Sequence, residues 1–235
     1  MPGLKEFSVQ EILNRSFDPT NNWLRVNDAE AVRRILLNGT LMAPLLAPWT
    51  SAVTGSGTFT AYPGYLYVTT GTTTGSTGRA YTTDLPFPGA TYPVDFSKRI
   101  LWGFLVQRVT SDTNVIARIQ LKAATTEGAL AARGLGIRMA NLTMTGEGYD
   151  SAGAFTGTIQ TMTTGVSYSI LVDHEPAIPR IRFYVNGVLQ ATQTTATAVP
   201  GTITPAAGIV VSVLNGAGTA NGIVTISAPW IYQAF

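Results

Sequence analysis

The clearest pattern in the chain is an alternation of apolar and polar positions over residues 165–192. Apolar side chains recur at every second position in residues 166–172 and again in residues 181–185. A period of two is the mark of a strand with one buried face. Asn186-Gly187 follows the second run and suits a two-residue type I′ turn, because both central residues of that turn take a positive φ. The sequence therefore predicts an antiparallel β-hairpin here.

Alternating runs and one continuous apolar run predict strands through most of the remaining chain. The segments are residues 65–69, 100–109, 115–122, 135–139, 155–162, 209–214 and 223–228. Residues 100–109 are apolar on both faces, which predicts a central strand, whereas residues 115–122 alternate and predict one face in solvent. A short turn joins these two, so we expect them to pair as a hairpin. Many short strands without intervening helices are typical of a β-sandwich.

The first 45 residues follow a different pattern. Ser8 and Glu11 form the capping box S-x-x-E, in which the hydroxyl and the carboxylate each satisfy a backbone N–H at a helix start. The apolar stripe of this predicted helix consists of Val9, Ile12, Leu13 and Phe17. So short a helix is unstable alone and needs a surface to cover the stripe. Trp23 begins a short extended piece, and a second helix is predicted over residues 28–37.

Part of the chain resembles a known fold family. A strand ending in Val172-Asp173, a short proline-bearing loop and the run R-I-R-F-Y-V-N-G-V-L, residues 180–189, are similar to a hairpin of concanavalin A-like jelly rolls. Legume lectins, laminin-G modules and many glucanases share that sandwich. The resemblance implies an all-β fold, an antiparallel jelly-roll β-sandwich over residues 46–235. It also implies that residues 223–228 pair with a strand within residues 58–68.

A second resemblance concerns the N-terminus. Residues 9–27, V-Q-E-I-L-N-R-S-F-D-P-T-N-N-W-L-R-V-N, resemble a segment at the N-terminus of many structural proteins of tailed bacteriophages. In those relatives it precedes unrelated distal domains, which implies an attachment role; the alternative is a generic capped helix followed by a strand. We accordingly expect a small helical attachment module over residues 1–45. Its candidate contact residues are Phe7, Val9, Ile12, Leu13, Phe17 and Trp23.

Composition narrows the classes of function. Only 12% of the 235 residues are charged and 34 are threonine, which fits a β-rich chain whose surface is partly covered by other subunits. We therefore expect other virion proteins as partners and a homo-oligomer such as a trimer. A net charge of +2 without a basic cluster argues against nucleic acid. No apolar run reaches a membrane span, and we expect no secretory signal, because residues 1–15 contain acids and lack an apolar stretch. The expected location is the virion, after synthesis in the host cytoplasm.

Candidate catalytic groups are few. Glycosidases of the resembled superfamily commonly carry E-x-D-x-x-E on one strand, since hydrolysis uses two carboxylates, and no such motif exists here. Asp173, His174 and Glu175 are read as polar residues at a strand exit. Glu147, Asp150 and Ser151 are read as part of a glycine-rich structural loop rather than a calcium site. We therefore expect no enzyme activity, no cofactor and no metal.

Glycan binding requires only exposed aromatic rings beside amides or carboxylates. The candidates in or near predicted loops are Tyr62, Tyr65, Tyr92 and Tyr149. The preferred hypothesis is a non-enzymatic bacteriophage structural protein, either a capsid decoration or tail-associated. It docks through its N-terminal segment and displays a lectin-like sandwich. The alternative is a carbohydrate-binding adhesin or receptor-binding tail protein that contacts host surface glycans.

Overall fold

The computed structural model describes most of the chain in two compact units, residues 1–35 and 36–235. The described residues are 17–18, 23–24, 49–62, 65–82, 85–87, 90–92, 94–110, 113–124, 126, 128–204, 208–217 and 221–233. In the first unit they form two short antiparallel strands, β1 (Phe17–Asp18) and β2 (Trp23–Leu24). Phe17 thus lies on a strand and does not continue a helical stripe, because the following Asp18-Pro19 disfavours helical backbone. The predicted helices and Phe7, Val9, Ile12 and Leu13 lie outside the described residues.

The second unit is built from strands. In chain order they are β3 (Thr50–Thr54), β4 (Thr58–Tyr62), β5 (Tyr65–Thr69), β6 (Thr77–Tyr81), β7 (Leu85–Phe87), β8 (Ala90–Tyr92), β9 (Val94–Asp95), β10 (Ile100–Arg108), β11 (Val115–Lys122), β12 (Gly134–Ala140), β13 (Thr143–Tyr149), β14 (Gly153–Thr161), β15 (Ser167–Glu175), β16 (Arg180–Val185), β17 (Val188–Gln193), β18 (Ile203–Thr204), β19 (Gly208–Asn215) and β20 (Ile223–Gln233). A 3-10 helix, Ala196–Ala198, lies between β17 and β18. Within the described ranges, no helix is long and apolar enough to cross a membrane.

Most of these strands belong to two seven-stranded antiparallel sheets. Sheet I has the order β17-β16-β15-β10-β20-β5-β4, and sheet II has the order β14-β13-β12-β11-β19-β6-β3. In two small additional ladders, β9 pairs with β18 and β7 pairs with β8. The predicted all-β antiparallel sandwich is therefore confirmed.

The core lies between the sheets and follows the period-two pattern of the sequence. Trp102 and Phe183 of sheet I and Ile119 and Ile137 of sheet II are fully buried in it. Each is flanked in its strand by residues that point to the opposite face, as strand geometry requires. The predicted type I′ hairpin is present, because Asn186 and Gly187 both take positive φ, 50° and 79°, between β16 and β17.

The C-terminal strand pairs within sheet I as expected. β20 lies between β10 and β5, with Ile226 opposite Leu66 and Val224 opposite Val68. It is also longer than predicted, since it runs on to Gln233 and takes in most of the C-terminal aromatic segment. Trp49 is buried in the core.

One predicted pairing is wrong. β10 and β11 are consecutive in sequence but belong to different sheets. Both edges of β10 are already taken, by β15 and β20, so β11 crosses over and pairs with β12 and β19. The outward face of β11 is not a plain solvent face either, because Gln120 and Lys122 are buried there.

Candidate functional site

The outer face of sheet II carries a row of arginines. Ala117 and Ile119 point into the core, so Arg118 and Gln120 between and beyond them point outward. The strand register places Arg118 directly opposite Arg138 on β12. On the other side Arg118 faces Ser212 of β19, which in turn faces Arg79 of β6. We call Arg79, Arg118 and Arg138 the arginine row.

A second row lies immediately beside the arginine row. It consists of Tyr81, Val210, Gln120, Gly136, Glu147 and Phe155, each opposite the next across neighbouring strands. Gly136 is the reason that Gln120 and Glu147 can meet although a strand separates them. A Cβ at Gly136 would come within 2.9 Å of the Cα and 3.1 Å of the Cγ of Gln120. Because Gly136 has no Cβ, Gln120 Nε2 can donate a 2.6 Å hydrogen bond to Glu147 Oε1.

Glu147 is the centre of this arrangement. Its side chain is only 2% exposed, and burial raises the pKa of the Glu147 carboxyl, while the Gln120 hydrogen bond and the nearby Arg118 oppose that rise. Arg118 Nε lies 3.8 Å from Glu147 Oε2, an ion pair without a hydrogen bond. Among the described contacts, Arg118 Nε, Gln120 Oε1 and Glu147 Oε2 have no hydrogen-bond partner. Three buried polar atoms in one patch thus have unused hydrogen-bonding capacity.

Aromatic rings stand at both ends of the two rows. The guanidinium of Arg138 lies 5.7 Å from the ring centre of Phe155, and that of Arg79 lies 5.4 Å from the ring centre of Tyr81. Phe155 is 52% exposed, an unusual state for a phenylalanine. Between the ends, the Gly128 carbonyl from the loop after β11 accepts a 3.1 Å hydrogen bond from Gln120. We call the surface formed by the arginine row and the second row the polar face of sheet II.

A second charged cluster lies on the outer face of sheet I. Asp173 is fully buried and receives two 3.1 Å hydrogen bonds from Arg99, through Nε and Nη2, as well as one from Arg182. Arg180 Nε donates a 2.8 Å bond to the adjacent Glu175. The predicted strand exit is present, because β15 ends at Glu175 and Pro176 begins the turn after it. The expectation of a solvated acid is wrong for Asp173, which is fully buried. The cations and carboxylates of this cluster are bonded to one another, which is typical of a structural network.

His174 has a structural environment. It is fully buried in β15, its Nε2 donates a 2.7 Å hydrogen bond to the Pro200 carbonyl, and its ring meets Phe96 edge-on with the ring centres 5.7 Å apart. The expectation of a polar loop residue is therefore wrong. The donated bond fixes the proton on Nε2 and ties β15 to the segment after the 3-10 helix.

His174 should make stability depend on pH. Burial lowers the pKa of His174 below its ordinary 6.5, although the hydrogen bond to Pro200 and the charge of Asp173 oppose this. Below about pH 6.5 the unfolded chain binds a proton that the folded chain resists, so unfolding should become easier as pH falls. The slope cannot exceed about 1.4 kcal/mol per pH unit from one group. Urea unfolding at pH 5 to 7.5 should show a flatter profile for His174→Gln, and parallel profiles for the variant and wild type would refute the assignment.

The predicted glycan-binding tyrosines do not form one site. Tyr65 begins β5 in sheet I and is 40% exposed, opposite Tyr62 on β4. Tyr149 ends β13 in sheet II, two positions along from Glu147 and opposite Gly134. Tyr92 lies in β8. Tyr149 is thus the one that adjoins the polar face.

Sequence reasoning missed Glu147 as a site residue. The alternation of Arg118, Gln120 and Lys122 was a usable signal for one polar face. What the sequence did not reveal is the register that sets Glu147 opposite Gly136.

Comparisons with known proteins bear on the fold. No family model and no curated protein matches the chain. An endo-β-1,4-glucuronan lyase from Trichoderma reesei has a TM-score of 0.58 at 10% identity, covering 81% of this chain and 93% of the lyase. Bacillus licheniformis β-glucanase has a TM-score of 0.54 at 14% identity, covering 80% and 92%. The potassium-bound carbohydrate recognition domain of Emp46p has a TM-score of 0.56 at 13% identity, covering 86% and 97%. In other matches, a sialidase among them, the chain spans as little as 17% of the matched protein.

The fold of this chain is similar to that of these concanavalin A-like jelly-roll structures, in agreement with the sequence resemblance. At such low identity they establish the fold alone, and fold does not fix function. They also correct one expectation. A lyase and a glucanase share this fold, so the inference that the chain is not an enzyme was wrong. The lack of an E-x-D-x-x-E motif excludes one arrangement of carboxylates and not catalysis as a whole.

Proposed function

We propose that this chain binds carbohydrate through the polar face of sheet II. The observation that carries the proposal is the group formed by Arg118, Gln120 and Glu147, in which three buried polar atoms have no hydrogen-bond partner among the described contacts. Sugar hydroxyls both donate and accept hydrogen bonds. If the covering side chains move aside, one hydroxyl can pair with a guanidinium N–H and another with a carboxyl oxygen of this buried group. The exposed ring of Phe155 offers an apolar surface beside them. The lectin-like fold of Emp46p and related domains supports this choice of ligand.

A glycan array read with wild type and three variants tests the proposal. Glu147→Gln keeps the shape of the side chain but removes its charge and alters its acceptors. We expect it to weaken binding about tenfold to a hundredfold, the range for a hydrogen bond to a charged group. Tyr149→Ala, beside Glu147, should also weaken binding. Tyr65→Ala, on the other sheet, is the matched control and should bind like wild type. A loss confined to Tyr65→Ala would place the site on sheet I.

We further propose that the protein acts as part of a bacteriophage particle, on which residues 1–45 attach it. This rests on the resemblance of residues 9–27 to phage structural proteins and on the low charge of the chain. The separate compact unit formed by residues 1–35 supports a detachable module. In this setting the sandwich would display its glycan site to the host surface, and the chain would act as a receptor-binding or decorating subunit.

Removing residues 1–27 tests the attachment role. The truncated chain should remain soluble, since both large sheets lie entirely within residues 50–233. It should no longer be incorporated into particles when it is supplied in place of the full chain, as measured by immunoblotting of purified particles. Normal incorporation of the truncated chain would remove the support for attachment.

A further inference from the structure

We infer that the carbohydrate bound by the polar face is acidic, a glycan that carries carboxylate or sulfate groups. This inference rests on the proposed glycan binding and names its ligand class. The first reason is the direct apposition of Arg118 and Arg138 across neighbouring strands. Like charges directly opposite one another destabilise a sheet, and an anion that bridges them would relieve the repulsion.

The charges of the two rows are not balanced internally. Around the apposed pair Arg118 and Arg138, Glu147 is the sole carboxylate among the described residues of these rows. Burial lowers the pKa of Arg118, Glu147 counteracts this and Arg138 adds to it, as expected for a cation crowded by another cation. Burial also raises the pKa of Glu147, and the Gln120 hydrogen bond and the charge of Arg118 oppose this.

The network on sheet I provides an internal comparison. There Arg99 makes a two-pronged contact with Asp173 at 3.1 Å, the geometry that guanidinium and carboxylate groups prefer. On sheet II, Arg118 approaches Glu147 only to 3.8 Å and makes no hydrogen bond to it. Arg138 makes no ion pair with any described carboxylate and instead lies over Phe155. Its guanidinium N–H groups therefore retain donors for a planar anion.

Geometry suggests how an acidic sugar would lie. A sugar ring packed on Phe155 would place a ring substituent beside Arg138, since the guanidinium is 5.7 Å from the ring centre. On the neighbouring strand, the backbone of Arg118 lies about 5 Å from that of Arg138, so both side chains leave the same face of the sheet. One carboxylate or sulfate could then contact both guanidiniums.

The test uses the full chain and matched pairs of polysaccharides. Polygalacturonate, alginate and hyaluronate are compared with their carboxyl-reduced forms, dextran sulfate with dextran, and starch and mannan serve as neutral glycans. Affinities are measured by titration calorimetry at 50 and 300 mM NaCl. We expect at least one acidic glycan to bind at least tenfold more tightly than its neutral counterpart, with weaker binding at high salt. The carboxylate and sulfate arms show which anion is preferred.

Two variants separate the arginine row from general attraction to polyanions. Arg138→Gln should reduce affinity for the acidic glycan at least tenfold. Arg133→Gln removes the same charge from a residue that is 46% exposed and paired with Asp150 outside the rows, and it should have little effect. Equal losses in both variants, or binding of neutral glycans alone, would overturn the acidic-ligand inference and leave the proposed glycan binding intact. Binding of no glycan at all would overturn both.

Discussion

Replacing Asp173 by alanine is expected to destabilise the sandwich by about 3 kcal/mol. Asp173 is fully buried and accepts hydrogen bonds from both Arg99 and Arg182. Removing one partner of a buried ion pair usually costs about 3–5 kcal/mol, because a charge is left without compensation. The lower end applies here, since the side chains of Arg99 and Arg182 are 31% and 20% exposed and can recover some hydration.

Denaturant unfolding measures this loss. Glu175→Ala is the matched control, because Glu175 is in the same network but 20% exposed, and exposed ion pairs contribute about 0–1 kcal/mol. We expect the Asp173 variant to unfold at clearly lower urea concentration than the Glu175 variant. Indistinguishable midpoints would mean that the network is not held together by the buried carboxylate. Asp173→Asn should lie between the two.

Deleting residues 230–235 is expected to destabilise the fold by more than about 4 kcal/mol. The deletion removes the part of β20 that pairs with β10, where Trp230 faces Gly103, Ile231 faces Trp102 and Tyr232 faces Leu101. Ile231 is buried in the core, and burying such a side chain is worth about 1.5–3 kcal/mol. Each lost ladder hydrogen bond adds about 0.5–1.5 kcal/mol. The fully buried Trp102 would then border an open edge.

Thermal unfolding of two truncations separates the ladder from the terminal residues. Removing residues 234–235 leaves β20 complete to Gln233 and should change the melting temperature little. Removing residues 230–235 should lower it by many degrees, since about 1 kcal/mol corresponds to about 2–4 °C in a domain of this size. The idea fails if the short deletion is as damaging as the long one, because the stabilisation would then come from Phe235.

The period-two pattern predicted individual strands well but not their partners. It identified β10 as buried on both faces, and the turn chemistry of Asn186-Gly187 fixed the β16–β17 hairpin. It misassigned β11, because the choice between a hairpin and a crossover depends on which strand edges are already occupied. That information is non-local. The expected pairing of β20 succeeded because the fold resemblance supplied it.

The glycines around Glu147 show why the site was harder to predict than the fold. Gly148 and Gly153 suggested a loop, but Gly148 lies within β13, as does Gly146, and Gly153 begins β14. A Cβ at Gly146 would come within 2.5 Å of the Phe183 ring, and one at Gly148 within 2.4 Å of the Ala198 carbonyl oxygen. These glycines serve close packing between layers. The sequence shows that these positions are glycines, but it does not show which neighbouring residues leave no room for a Cβ.

The residues of the polar face stand on strands β6, β11, β12, β13 and β14 rather than on loops. Strand pairing fixes their backbones, on both sides for all except the edge strand β14, so these groups are arranged before any ligand arrives. Folding of the sandwich has already restricted the backbone conformations of these residues. The entropy lost on association would then fall mainly on the glycan, whose linkage torsions must settle into one arrangement. A ligand that is stiff in solution would on this account bind more tightly than a flexible one with the same chemical groups.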